Sequence, residues 1–187
     1  SLNHPGIPKY YDFFVEGGKK YLAMELVHGQ DLEKRISFTG PVIPKQAIAW
    51  MIQTCDILDY LHTQNPPLIH RDIKPANILV RREGRLLLTD FGLVKVVSEG
   101  QSANSRLTGV GAPLGTPDYM APEQVMGGEI DARADLYSLG IILYQMVTGT
   151  VPFKANLPMQ VAMQHMQVPP PSPRALRREL PLAAEQV

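Results

Sequence analysis

The spacing of apolar positions changes several times along this chain, and each change marks an element. Residues Ile7 to Val15 and Lys20 to Val27 are rich in apolar side chains and are joined through Glu16-Gly17-Gly18. Two β-compatible runs around a Gly-Gly turn predict a hairpin. Gly29 breaks the pattern, and Asp31 opens a short polar stretch. From Pro44 to about Gln64 the residues Ile48, Met51, Ile52, Cys55, Leu58 and Leu61 recur at helical spacing. The leading proline suits the first turn of an amphipathic helix. Leu68-Ile69-His70 reads as short and extended. Ile78-Leu79-Val80 and Leu86-Leu87-Leu88 flank a polar turn, Arg81 to Arg85, and predict a second small hairpin. Ser98 to Pro117 is rich in Ser, Gly, Thr and Asn with little periodicity, and a loop of that length inside a compact domain is usually functional. Asp131 to Thr148 leaves almost no polar face, so it predicts a helix buried nearly all round and ended by Gly149. A further helix is expected from Pro158 to about Gln167. A proline run, Pro169-Pro170-Pro171, follows, and Leu182 to Val187 read as the start of one more helix.

Composition narrows the class without naming it. With 187 residues, 44% hydrophobic and 19% charged, the chain is neither a disordered tail, a collagen-like repeat nor a coiled coil. Lys plus Arg balance Asp plus Glu at 18 each, so no overall field draws it onto nucleic acid or an anionic membrane. The pairs Arg81-Arg82 and Arg177-Arg178 read as solvated surface, since no aromatic platform accompanies them. The single cysteine, Cys55, excludes an internal disulfide and fits a cytoplasmic setting. No apolar run approaches the roughly 18 residues of a membrane span. The start lacks an initiator methionine and enters strand-like sequence directly, which suggests a piece of a longer chain. The full-length protein could then be membrane-anchored.

The chemistry lies in His70-Arg71-Asp72-Ile73-Lys74-Pro75-Ala76-Asn77, followed by Asp90-Phe91-Gly92 and by Ala121-Pro122-Glu123. In these motifs, their order and their separations, the chain resembles the protein kinases, of the eukaryotic-like kind found in bacteria. Phosphoryl transfer needs a divalent metal bridging phosphate oxygens, and Mg²⁺ takes one or two protein carboxylates with substrate oxygens and water. Asn77 and Asp90 offer a neutral and an anionic oxygen for it. Asp72 would face the acceptor hydroxyl, orienting it and receiving its proton late, because a loose transition state asks little nucleophile activation. Lys74 would set positive charge beside the moving phosphoryl group.

The resemblance implies more. Asp-x-Lys-Pro-x-Asn is the serine/threonine pattern, and Thr116 would place its hydroxyl against Asp72 and Lys74. ATP would sit with Met24 as gatekeeper, the Glu25 carbonyl and Val27 N–H on the adenine edge, and Leu79 beneath the ring. Asp31 would reach the ribose or cap a helix; Met24 and Leu79 would equally suit a core. His70 would pack against Phe91, ahead of Gly92, and Asp135 would accept backbone N–H bonds from the catalytic loop, both structural roles. Glu123 would pair with an arginine that the family supplies past the end of this chain. Arg71 would await a phosphate on the long loop, where Ser98, Ser102, Ser105 and Thr108 are acceptors. Ala112 stands at the usual threonine position, which leaves Thr108 as first choice.

The expected fold is therefore α+β and protein-kinase-like: a small-lobe remnant over residues 1–27, then a helical large lobe over 28–187, incomplete at its end. A Gly-rich loop and a Val-Ala-x-Lys strand are absent from the sequence. These residues alone are therefore expected to transfer little phosphate and to leave an exposed apolar cleft floor. The expected partners are ATP, Mg²⁺ and proteins bearing Ser or Thr, without nucleic acid, and any dimerisation would use parts not contained here. Two other readings are a non-catalytic kinase-like interaction module and a small-molecule phosphotransferase. Retention of Asp72, Asn77 and Asp90 argues against the first, and the segment from Asp90 to Glu123 against the second.

Overall fold

A computed structural model describes residues 2–91 and 117–185. The first hairpin forms from β1 (Tyr10–Glu16) and β2 (Lys19–Met24). Gly17 and Gly18 turn it with φ of 54° and 75°, the pair of left-handed residues that a two-residue turn needs to match the twist of its strands. The expected strand start at Ile7 is not realised. Ile7 is instead buried in the main core, and Leu88 N–H donates to the Gly6 carbonyl (2.8 Å). Gly6 permits this close approach, because a Cβ there would lie 2.4 Å from the Ile57 side chain.

The second hairpin, β4 (Ile78–Arg81) with β5 (Leu86–Leu88), is antiparallel with Ile78 opposite Leu88. A third strand, β3 (Gly29–Asp31), adds to β4. Three residues are too few to show a period, so pattern alone read Gly29 as a break. The contact explains the glycine: a Cβ at Gly29 would meet the Val80 carbonyl oxygen at 2.2 Å. Helix α1 (Leu32–Thr39) follows at once.

Helix α2 (Pro44–His62) begins at proline as expected, but its inner face is only partly the predicted one. Ala47, Trp50, Thr54, Ile57, Leu58 and Leu61 are buried, whereas Ile48, Ile52 and Cys55 are exposed. So many apolar residues occupy this helix that two stripes overlap, and packing against β5 and the later central helix chooses between them. Trp50 fixes the choice by donating its Nε1–H to the Gly84 carbonyl (3.1 Å).

After α3 (Pro122–Met126) comes that central helix, α4 (Ala132–Thr148). Asp131 caps it by accepting from Arg133 N–H, and Gly149 closes it at φ 82°, its N–H donating to the Gln145 carbonyl (2.7 Å). Ala134, Ser138, Leu139, Ile141, Ile142, Met146 and Val147 are buried, whereas Arg133, Leu136 and Gly140 are exposed, so the expected all-round burial is incomplete. Helix α5 spans Pro158–Gln167 and the short α6 Pro173–Leu176. Leu182–Glu185 form a 3₁₀ turn rather than an α-helix. The arginine pairs also divide: Arg82 and Arg178 are exposed, as expected of surface charge. Arg81 pairs with Glu25, and Arg177 donates from Nη1 to the Val42 and Val147 carbonyls (3.0 Å each).

Candidate active site

Residues 70–77 are held from below by one buried carboxylate. The Asp135 side chain is fully buried, and its Oδ1 accepts from Arg71 N–H (2.8 Å) while Oδ2 accepts from His70 N–H (2.9 Å) and pairs with His62 Nε2 (2.8 Å). A carboxylate on so apolar a helix needs such donors, because leaving it unpaired costs several kcal/mol. Arg71 sits at φ 67°, a left-handed conformation uncommon outside glycine. Asp135 holds its N–H, and Gln124 Nε2 donates to its carbonyl (2.9 Å). Gln124 Oε1 in turn accepts from Ala121 N–H (3.0 Å), tying the start of α3 to the loop.

His70 is 1% exposed. Its Nε2 contacts the Thr89 carbonyl (2.9 Å) and its Nδ1 the Asp72 N–H (3.3 Å). A carbonyl accepts and an N–H donates, so the ring is the neutral Nε2–H tautomer. Burial pushes its pKa below the ordinary value. The ring lies 5.2 Å from that of Phe91, which meets Tyr10 edge-on at 6.0 Å.

The Asp72 carboxylate is half-exposed, and its Oδ2 takes both Lys74 Nζ (2.9 Å) and Asn77 Nδ2 (3.0 Å). Asn77 Nδ2 also donates to the Asp72 carbonyl (2.8 Å). The amide nitrogen is thus committed, and the amide oxygen is the atom left for a cation. Burial of Ile73 and Pro75 fixes the backbone between these side chains. Thr89 joins the next strand end to this loop: its N–H and hydroxyl both donate to the Asn77 carbonyl (2.9 and 3.2 Å). Asp90 follows, exposed, at φ 59°. Tyr10 beside it has its phenol pushed up to about 12, by burial first and by the Asp90 charge second. An anionic oxygen and a neutral amide oxygen on adjoining segments are the hard donors that Mg²⁺ takes with water and phosphate oxygens. The residues present therefore fit that ion.

At the end of the first hairpin, Met24 ends β2 half-buried, and Glu25 N–H donates to the Lys9 carbonyl (2.8 Å). The Glu25 side chain pairs with Arg81 and accepts from Lys9 N–H (3.3 Å). The Lys9 N–H, and after it Arg81, hold its carboxyl below the usual range. Among the described residues the Glu25 carbonyl and the Val27 N–H make no hydrogen bond, leaving an acceptor and a donor two residues apart. Leu79 is half-buried on β4, on the face opposite Ile78 and Val80. Asp31 is the N-cap of α1. Its Oδ1 accepts from Lys34 N–H (2.7 Å) and its Oδ2 pairs with Lys34 Nζ (2.8 Å). Of its two expected roles, the structure places the cap. Partial burial raises its carboxyl, but the Lys34 contacts outweigh this and leave it low.

Glu123 on α3 is half-buried, and its carboxylate has no ion pair or hydrogen bond among the described residues. Gly92, Thr108 and Thr116, with Ser98, Ser102 and Ser105, lie outside the described residues. Sequence reading missed three supports. His62 has no motif of its own, although it sits in the last turn of α2, eight residues before His70. Tyr10 was only a strand residue. Gln124 directly follows the Ala-Pro-Glu motif, and that position was its one signal.

Residues 1–179 match the family model for the protein kinase domain. The chain belongs to the protein kinase family. It is 38% identical over 179 residues to the serine/threonine-protein kinase PknB of Mycobacterium tuberculosis, covering 94% of this chain and 28% of that protein. It is 35% identical over 187 residues to the serine/threonine-protein kinase PrkC of Bacillus subtilis, covering 100% and 28%. To PknB of Mycobacterium leprae it is 37% identical over 177 residues, covering 92% and 28%. The chain thus spans under a third of these relatives' length, and its α+β fold is that of a kinase domain. Among the described residues no helix is long and apolar enough to cross a membrane. Kinases as a family use ATP and a divalent metal, and act on protein substrates.

Proposed function

We propose that these residues serve a serine/threonine protein kinase, with 1–27 contributing to its small lobe and 28–187 to its large lobe. The observation that carries this reading is the convergence of Lys74 and Asn77 on one oxygen of Asp72. That arrangement leaves Asp72 Oδ1 to accept a hydrogen bond from a Ser or Thr hydroxyl and then its proton. Lys74 lends positive charge where the phosphoryl group passes. Asn77 Oδ1 and Asp90 hold the metal; when bound, Mg²⁺ offsets charge on the phosphate oxygens. The Glu25 carbonyl and Val27 N–H are free to meet the adenine edge between Met24 and Leu79. With its carboxylate engaged by Lys34, Asp31 serves the nucleotide indirectly, by fixing the start of α1. Thr116 adds its hydroxyl to the Asp72–Lys74 pair. Arg71, whose backbone is fixed at both ends, is the receptor for a phosphate on the loop, with Thr108 its first-choice donor.

The test is transfer of radiolabelled phosphate from ATP to myelin basic protein by the complete protein. Asp72→Asn is expected to lower the rate by about 10²–10⁴-fold with the fold intact. Equal rates for the variant and the natural protein would refute the assignment.

A further inference from the structure

A cleft away from Asp72, Asn77 and Asp90 gathers more cations than carboxylates. It lies between the segment before β1, the residue after β2 and the β4–β5 turn, and has a volume of about 310 Å³. Lys9, Arg81 and Arg85 bring three cations to its lining, and Glu25 one carboxylate. Leu2, Ile7 and Leu87 form its apolar wall. An adjoining hollow shares His4 and Arg85 with it and adds Asp56.

The acids here are already engaged, and the groups left over are cationic. Glu25 accepts from Lys9 N–H (3.3 Å) and pairs with Arg81 through Nη2. His4 is committed at both ring nitrogens: Nδ1 accepts from Gly6 N–H (3.0 Å), and Nε2 meets Asp56 (3.2 Å), which occupies that acid as well. Arg81 Nε is sheltered from water and has no partner among the described residues. The Lys9 ammonium and the Arg85 guanidinium are exposed and make no hydrogen bond or ion pair among them either. Exposed cations alone are ordinary solvated surface. The sheltered Nε–H sets this cleft apart, because a guanidinium N–H taken out of water without an acceptor is costly. Three cations against one carboxylate leave the lining two positive charges in excess.

We propose that this cleft binds a small phosphate monoester, its dianion held by Arg81, Lys9 and Arg85 and its organic part laid on Leu2, Ile7 and Leu87. The dianion matches the excess charge. A tetrahedral phosphate also offers three oxygens at one point to donors that come from three chain segments, and charge-assisted bonds of this kind are the strong ones. A dicarboxylate would hold its two charges apart. The volume lies at the small end of ligand clefts, so the organic part is compact.

The test is a phosphorus NMR titration of the complete protein with phenyl phosphate, above neutral pH where the ester is a dianion. Saturable binding is expected, with a dissociation constant of roughly 1 mM, unchanged when a non-hydrolysable ATP analogue and magnesium are present in excess. Arg85→Gln and Lys9→Gln should each weaken binding about fivefold and leave the urea melt as in the natural protein, since both side chains are exposed. Arg82→Gln, on the same turn but outside the lining, should stay within about twofold of natural, a change small enough to be its diffuse field. Inorganic phosphate has nothing to cover the apolar wall and should bind about tenfold more weakly. Binding that does not saturate, or that the ATP analogue displaces, would overturn the proposal. Equal weakening by Arg82→Gln would reduce the cleft to general surface charge, and equal affinity for inorganic phosphate would remove the monoester; either result also overturns it.

Discussion

Asp135→Asn tests whether a single buried carboxylate sets the catalytic loop. The carboxylate accepts from three donors: Arg71 N–H on Oδ1, and His70 N–H and His62 Nε2 on Oδ2. An asparagine of the same shape keeps one acceptor oxygen, best placed where two donors meet. Its NH₂ then faces the Arg71 N–H, so one bond is lost and two buried donors oppose each other. A hydrogen bond to a charged group contributes about 1.5–3 kcal/mol, and the remaining two weaken when the charge is removed. The expected loss is about 3 kcal/mol, a large share of the 5–15 kcal/mol that typically separates folded from unfolded chains. With a urea slope of about 2 kcal/mol per M, the midpoint should fall by roughly 1.5 M. Arg71, its N–H deprived of an acceptor, should also relax from φ 67°, carrying Asp72 with it and lowering phosphotransfer beyond what the melt explains. A midpoint within about 0.3 M of natural would mean that Asp135 does not anchor the loop.

Other perturbations follow from single contacts. Arg177→Ala removes two hydrogen bonds that tie the Val42 and Val147 carbonyls together. A loss of about 2 kcal/mol is expected by urea melt, and a neutral result would return Arg177 to simple surface charge. Gly29→Ala drives a methyl into the Val80 carbonyl and should cost about 1–3 kcal/mol. An unchanged melt would show that β3 can move away. Stability should also depend on pH through His70 and His165, both held below their ordinary pKa by burial. Unfolded histidines take a proton near 6.5, so below that pH the unfolded chain binds more protons and stability falls, while above it the contribution is complete. Asp118, raised by burial, opposes this as the solution nears its own titration. The urea midpoint at pH 5.5 should therefore lie below that at 7.5, and His165→Gln should flatten the difference. A midpoint flat across this window would contradict neutral buried imidazoles.

The sequence by itself marked the starts of the three longest helices, because caps and prolines act within a few residues, but not the short helices α1, α3 and α6. Pro44 opens α2, Asp131 and Gly149 bound α4, and Pro158 opens α5. It also marked the candidate chemistry, since Asp72, Lys74 and Asn77 lie close in the chain and local backbone geometry brings their side chains together. Contacts between residues far apart in the chain were left to the tertiary structure. Period alone could not choose between the two apolar stripes of α2, and the Gly84 carbonyl under Trp50 chose. Nothing near Gly29 or Gly6 in sequence announces the Val80 carbonyl or the Ile57 side chain that requires glycine there. His62 and Tyr10 carry no local pattern, and Gln124 shows only its place after the Ala-Pro-Glu motif, for each reaches the loop or its neighbours only through packing. A hydrogen bond across 73 positions, such as that from His62 to Asp135, has no period to read. It exists only once the core around α2 and α4 has closed.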